Sequence, residues 1–229
     1  MDALPAFVLA LALRGSTSKE ELRFAYAREQ EGEGSCGLAV AASLLGLYCS
    51  ASADRAADET GLGRRLGAAR GGGPGERDLS MADIAFLLRG EGLDPRAYRM
   101  DLGQLERALD AGFAPLVAHY DRPEGHFVLL LGRAAAPDGG SYLCVADPAR
   151  GLEALSEEDF LGRWSGALLL VDPAVLGPEG RGRLAAALAG CDARLAILER
   201  GRAARAALGA AARAGGASDA LGDASRGRR

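Results

Sequence analysis

Three apolar runs of seven residues, APLVAHY (114–120), HFVLLLG (126–132) and SYLCVAD (141–147), stand close together in this chain. They are punctuated by the turn sequences DRPEG (121–125) and PDGG (137–140). Runs of this length bounded by Pro, Gly and Asp read as strands, and connections this short join neighbours into antiparallel hairpins. Asp147-Pro148 ends the third strand, Ser156-Glu-Glu-Asp159 is a capping box that opens a short helix through Phe160 and Leu161, and ALLLV (167–171) is the last strand.

The residues before this stretch have a helical pattern. Cys36-GLAVAASLLGL is apolar throughout, as in a buried helix, with Ser35 in the N-cap position. Leu79-Ser80-Met81 opens a second helix with Ile84, Leu87 and Leu88 on one face, and Asp101–Ala111 is a third through Leu102, Leu105 and Leu109. Residues 64–77 hold five glycines and a proline and read as a loop. Helices first and strands second predict an α+β fold with an N-terminal helical part and a C-terminal antiparallel sheet.

With 229 residues, 48% of them apolar and 25% charged, the chain can build a sizeable core, which excludes wholesale disorder. Four segments are expected. Residues 1–15 contain an apolar run of eleven, too short to span a membrane, and are either an export signal or a short buried helix. Residues 16–175 form the main domain. Residues 176–213 are an Ala/Arg-rich amphipathic helix with Leu184, Leu188, Cys191, Leu195 and Leu198 at heptad-like spacing. Residues 214–229 are a disordered tail. Ten arginines face five acids over 177–229, which makes this helix either a contact surface for a partner or a packed helix followed by a solvated end.

A formal net charge of −4 gives no global pull toward nucleic acid. The single lysine, Lys19, follows Ser18 and not a glycine, so no Walker-type ATP-binding loop is present. The four cysteines form no CxxC pair and the histidines are only His119 and His126, so neither a zinc site nor any other metal or cofactor is implied. A disulfide framework is not expected at this density, although a lone disulfide suits an exported protein.

The chemistry therefore falls to Gln30-Glu-Gly-Glu-Gly-Ser-Cys36-Gly37. A cysteine at a helix N-terminus sits at the positive end of the helix dipole, which lowers its pKa from roughly 8.5 toward the reactive range. Gly37 admits a close backbone approach by substrate. Gln30, six residues upstream, can place its amide beside the thiol and, with the Cys36 N–H, hold an oxyanion; one such donor is typically worth about 3 kcal/mol of barrier. His126 begins a strand and Asp147 ends the next, which puts imidazole and carboxylate side by side across a hairpin, in the order nucleophile, base, orienting acid. His119, at the end of the preceding strand, is the rival base.

With these residues and contexts the chain resembles the bacterial double-glycine leader peptidases, papain-like cysteine peptidases best known as N-terminal domains of bacteriocin-exporting ABC transporters. The resemblance covers about residues 20–172. It rests on Gln30 with Cys36-Gly37, Ala39 and the Ala-Ser-Leu-Leu helix, Leu79-Ser80, Tyr98-Arg99-Met100, Gly125-His126-Phe127-Val128-Leu129, Val145-Ala146-Asp147-Pro148 with Gly151, Leu155-Ser156 to Phe160, and Trp164-Ser165-Gly166. It implies Cys36 as nucleophile, His126 as general base and acid, Asp147 as orienting acid and Gln30 as oxyanion donor. It also implies a peptide or protein substrate cut after a Gly-Gly-type pair. Cys49, Cys144 and Cys191 match no catalytic position. Ser35 stands where transporter members often have Asp or Glu, as in free-standing members, although Arg28-Glu29-Gln30 is one residue looser than their Arg-Gln. The free-standing branch agrees with the missing ATPase motif and membrane span, and its export signals favour an exported or periplasmic location over a cytoplasmic one. The alternatives are a non-catalytic peptide-binding module of the same fold and a papain-like amidase or acyltransferase.

Overall fold

The computed structural model describes residues 23–32, 34–49, 58–71, 79–121, 123–135 and 139–223; residues 1–15, with the expected export signal, lie outside them. The elements run α1 (Cys36–Tyr48), α2 (Glu59–Ala69), α3 (Met81–Gly90), β1 (Arg96–Arg99), α4 (Leu102–Asp110), β2 (Leu116–Tyr120), β3 (His126–Ala135), β4 (Ser141–Asp147), β5 (Gly151–Ser156), α5 (Glu157–Leu161), β6 (Trp164–Leu170) and α6 (Pro178–Asp223). The six strands form one antiparallel sheet in the order β1-β6-β2-β3-β4-β5. This is the α+β arrangement with helices first and an antiparallel sheet behind them.

The sheet is buried on both faces, and the period of two sorts its side chains between two cores. Val117, Phe127, Leu129, Leu131, Cys144 and Ala146 face α1, α2, α3 and α6. Leu116, Ala118, Tyr120, Val128, Leu130, Leu143 and Val145 face Leu105 of α4, Phe160 of α5 and Trp164. Helix α1 is apolar on every side and is packed between β3, α2, α3 and α6, which is why it shows no polar face. Reciprocal capping boxes start α3 (Ser80 with Asp83) and α4 (Asp101 with Gln104), fixing the ends that face the sheet edge.

Four elements depart from the sequence reading. Residues 64–69, expected in a loop, belong to α2: Asp58 caps it by accepting from the Gly61 N–H, and Leu62 and Leu66 are buried against the α1 core. Packing there outweighs the helix-weakening glycines. Strands β1 and β5 carry no alternating pattern; β1 is exposed along its whole length at the sheet edge. The C-terminal helix begins at Pro178 and continues to Asp223, through residues 214–223 that the sequence places in a disordered tail; the alanine-rich stretch before them propagates it.

The first turns of α6 pack across β3, β5 and α1 through Leu184, Leu188, Cys191 and Leu195, whereas Leu198 is exposed. A bulge between Leu130 and Gly132 in β3 turns the strand so that Gly132 lies under Leu188; a Cβ on Gly132 would come 3.0 Å from the leucine side chain. Cys144 of β4 and Cys191 of α6, both fully buried, are joined by a disulfide with a Cα–Cα separation of 6.1 Å, while Cys36 and Cys49 are free.

Candidate active site

Cys36 is the first residue of α1, His126 the first of β3 and Asp147 the last of β4. Pairing of β3 with β4 runs to Leu129 opposite Ala146, so one step further Asp147 falls beside Val128, with His126 two residues along on the same face. His126 Nε2 and Asp147 Oδ1 are 2.9 Å apart. Asp147 is only 2% exposed, and its Oδ1 also accepts from the Ala149 N–H at 2.8 Å, so the carboxylate is held by the turn that follows it. His126 is also hydrogen-bonded to the Cys36 side chain.

The charges of the three groups support one another. Burial alone would depress the His126 pKa, but the Asp147 hydrogen bond and charge, together with Cys36, raise it to about 9. Burial would likewise push the Cys36 thiol up. The hydrogen bond from His126, the Phe127 and Gly37 backbone N–H groups and the His126 charge outweigh it and bring the pKa below the ordinary thiol value. Asp147, despite its burial, is held below the usual carboxylate range by His126. These shifts all act in the direction of a thiolate–imidazolium pair backed by a carboxylate.

Gln30 lines the same cleft as Cys36, His126 and Asp147. Its Nε2 donates to the Gly32 carbonyl at 3.2 Å, and its buried Oε1 has no partner. The loop carrying it is tied down at three points: Arg28 N–H to Ser43 Oγ (2.8 Å), Gln30 N–H to the Pro148 carbonyl (3.0 Å) and Glu31 N–H to Glu59 Oε2 (3.3 Å). Sequence reasoning misses Glu59, buried on α2; its low exposure is set by the fold around α2 and leaves no local signature. Ser35 occupies the N-cap position, but its hydroxyl turns back to the Gly32 carbonyl (3.0 Å) and makes no cap bond. The rival His119 pairs in register with Phe127, and its Nδ1 contacts Ser165 Oγ at 3.0 Å; burial lowers its pKa. The structure thus brings His126, and not His119, to Cys36. Gly37 serves packing and not substrate approach, because a Cβ there would meet the Leu79 Cβ at 3.0 Å and Phe127 at 3.4 Å.

Two cavities flank the Cys36–His126 pair and share Gly34, Cys36, Glu124 and Gly125. One, about 540 Å³, is walled by Leu79, His119 and Phe127. The other, about 520 Å³, extends past His126 and Asp147 to Gln30, Tyr120, Arg150 and Arg163.

The turn behind Asp147 depends on Gly151. Its φ is +80°, and a Cβ would lie within contact distance of the Arg23 carbonyl oxygen, far closer than van der Waals radii allow. Arg23 is pinned there by donating to the Arg150 and Ala149 carbonyls. Gly151→Ala is expected to lower stability by at least about 2 kcal/mol and to displace the Asp147 turn; urea unfolding of the variant beside the wild type measures it.

A family model described as the Peptidase C39 family matches residues 23–175. The chain belongs to this family. Its members are the double-glycine leader peptidases, cysteine peptidases that the sequence resembles. A curated relative, the "Probable functional amyloid protease FapD" of Pseudomonas aeruginosa, is 30% identical over 154 residues, which are 67% of this chain and 63% of that protein. The chain therefore matches somewhat less than two thirds of that relative's length. The peptidase domain of Streptococcus ComA, described as a bi-functional ABC transporter involved in a quorum sensing pathway, superposes with a TM-score of 0.50 at 19% identity. The match covers 64% of this chain and 96% of the domain. A double glycine motif protease from an AMS/PCAT transporter, solved with a leader peptide, matches with a TM-score of 0.47 at 24% identity, over 62% of this chain and 87% of that one. Among the described residues no helix is long and apolar enough to cross a membrane.

Proposed function

We propose that this C39 family member is a cysteine endopeptidase that hydrolyses a peptide bond after a small, Gly-Gly-type pair, with Cys36, His126, Asp147 and Gln30 in the roles implied by the sequence. The observation that carries the reading is the 2.9 Å His126–Asp147 contact together with the hydrogen bond of the same imidazole to Cys36, at the junction of two cavities.

The Cys36 thiolate attacks the scissile carbonyl carbon. Negative charge develops on the carbonyl oxygen beside the Cys36 N–H, which helix geometry leaves without an intrahelical acceptor. Gln30 Nε2 joins it by turning from the Gly32 carbonyl. Collapse of the intermediate breaks the C–N bond, and His126 gives its proton to the leaving amine. His126 then takes a proton from water, the resulting hydroxide attacks the thioester, and the acid product leaves as the thiolate is restored. The cavity walled by Leu79, Phe127 and His119 supports the small-residue preference: the Leu79 and Phe127 side chains line it together with Cys36, and glycine leaves room there for the peptide backbone.

The test is digestion of peptides carrying Gly-Gly, Gly-Ala or bulkier pairs at the cut, with products identified by mass spectrometry. Cleavage after the small pairs alone is expected; cleavage after bulky pairs, or at scattered bonds, contradicts the specificity.

The pH profile follows from the charge state. Activity needs the thiolate together with imidazolium, so it rises as pH passes the lowered Cys36 pKa and falls as pH passes about 9, where His126 loses its proton. Initial rates from acid to strongly basic pH are expected to show that basic limb near 9; a rate that keeps climbing well beyond it contradicts the assignment.

The Cys144–Cys191 disulfide supports an exported or periplasmic location, since such bonds persist in oxidising compartments. The outer part of α6, exposed at Arg200, Arg202, Arg205 and Leu208, is the surface for contact with a partner.

A further inference from the structure

The cavity that extends past His126 and Asp147 holds more than the catalytic chemistry uses. Tyr120 is 3% exposed and lines it, yet its hydroxyl has no hydrogen-bond partner. β-Strand register sets Tyr120 directly opposite His126, which aims the phenol at the same end of the sheet. Burial lifts the Tyr120 pKa far above the usual phenol value, so the group is a proton donor at any working pH. Arg150, on the turn after Asp147, and Arg163, between α5 and β6, line the same cavity. Among the described residues neither guanidinium makes an ion pair or side-chain hydrogen bond. The acids nearby feel the charge of these arginines but form no ion pair with them. Asp147 is hydrogen-bonded to His126, Glu124 lies on the exposed loop between the two cavities, and Glu153 has its Oε2 unpartnered, its pKa raised by burial and by Asp147 against the opposing charges of Arg150 and Arg163.

The direction of the bound peptide follows from the proton transfer. His126 lines this cavity and not the one beside Leu79, and it must protonate the leaving amine. The residues after the scissile bond therefore leave through the cavity of Tyr120, Arg150 and Arg163, and those before it lie along Leu79 and Phe127.

We infer that Tyr120, Arg150 and Arg163 form a subsite for a carboxylate side chain, Asp or Glu, within the first two residues after the scissile bond. Two guanidinium forks and a buried hydroxyl are all donors, and a carboxylate is the acceptor that satisfies them together. A site lined by such donors discriminates strongly against a ligand that leaves them unpaired. The inference rests on the peptidase reading of Cys36 and His126.

The experiment compares Gly-Gly peptides that differ only by Glu or Gln, placed in separate pairs at the first and at the second residue after the cut, each amidated at its C-terminus. A further Gln pair ends two residues past the cut as free acid or amide, to separate a side-chain carboxylate from a chain end. A Glu-to-Gln ratio of kcat/KM of about ten or more is expected, falling toward one in Arg150→Gln/Arg163→Gln and partway in Tyr120→Phe. Thermal unfolding of each variant checks that the fold persists. Equal rates for Glu and Gln at both positions, a ratio that survives the double substitution, or a preference for the free chain end over the Glu side chain overturns the assignment. If no peptide is cut, the peptidase reading is what fails, and binding to Cys36→Ala protein then decides the subsite. Tighter binding of the Glu peptide that the double substitution abolishes upholds it, and equal binding of the two peptides overturns it.

Discussion

Cys36→Ala and His126→Ala each reduce hydrolysis of a Gly-Gly peptide by about 10⁴-fold or more, and the double variant is no worse than either alone. The reason is that the thiolate exists through His126: without the imidazole, burial returns the thiol to a neutral form, and without the sulfur the imidazolium has nothing to activate. Asp147→Asn is expected to be milder. The amide oxygen that replaces the carboxylate can still accept from His126 Nε2 and from the Ala149 N–H, so the ring stays in place. The carboxylate charge is lost, however, and the basic limb of the rate profile moves down from about 9 toward 6.5, the ordinary value for histidine. Steady-state kinetics on wild type and these variants measures this; an Asp147→Asn enzyme whose basic limb stays near 9 contradicts the assigned role.

Removing the Cys144–Cys191 disulfide is expected to be the costliest change away from the site. The bond joins residues 47 apart in sequence, so by chain entropy it constrains the unfolded state by about 4 kcal/mol. It also ties α6 to β4, where the helix contributes Ala187, Leu195 and the partly buried Leu184 and Leu188 to the core that packs on α1. For a protein of this size the loss corresponds to roughly 10 °C in Tm. Cys144→Ala/Cys191→Ala, followed by thermal unfolding with and without reductant, tests it. The variant should match the reduced wild type and be insensitive to reductant, and an unchanged Tm contradicts the expectation.

The residues of the candidate site are legible in the sequence because each sits at a local break. Cys36 follows Gly34-Ser35 at a helix start, His126 follows Gly125 at a strand start, and Asp147 precedes Pro148 at a strand end. What is not legible depends on pairing across the fold. Helix α2 hides behind glycines and is stabilised by burying Leu62 and Leu66. Gly37 is required by Leu79, which is distant in sequence, and Cys144 finds Cys191 only because α6 lies on the sheet. Arg163 reaches the cleft because β6 pairs with β2, bringing its carbonyl onto the Asp121 N–H. No spacing rule in one strand or helix reports such neighbours.

The proposed catalysis turns on His126 holding Cys36 as a thiolate. The most direct test is the rate of iodoacetamide alkylation of Cys36 against pH, read by mass spectrometry in wild type and His126→Ala. Cys49, the other free cysteine, has its pKa raised by burial and by the Glu91 charge and serves as a reference within the same molecule. Cys36 is expected to be alkylated well below the ordinary thiol pKa of about 8.5, ahead of Cys49, and His126→Ala is expected to shift its profile upward. A Cys36 profile centred near that ordinary value in wild type and unmoved by His126→Ala would contradict it.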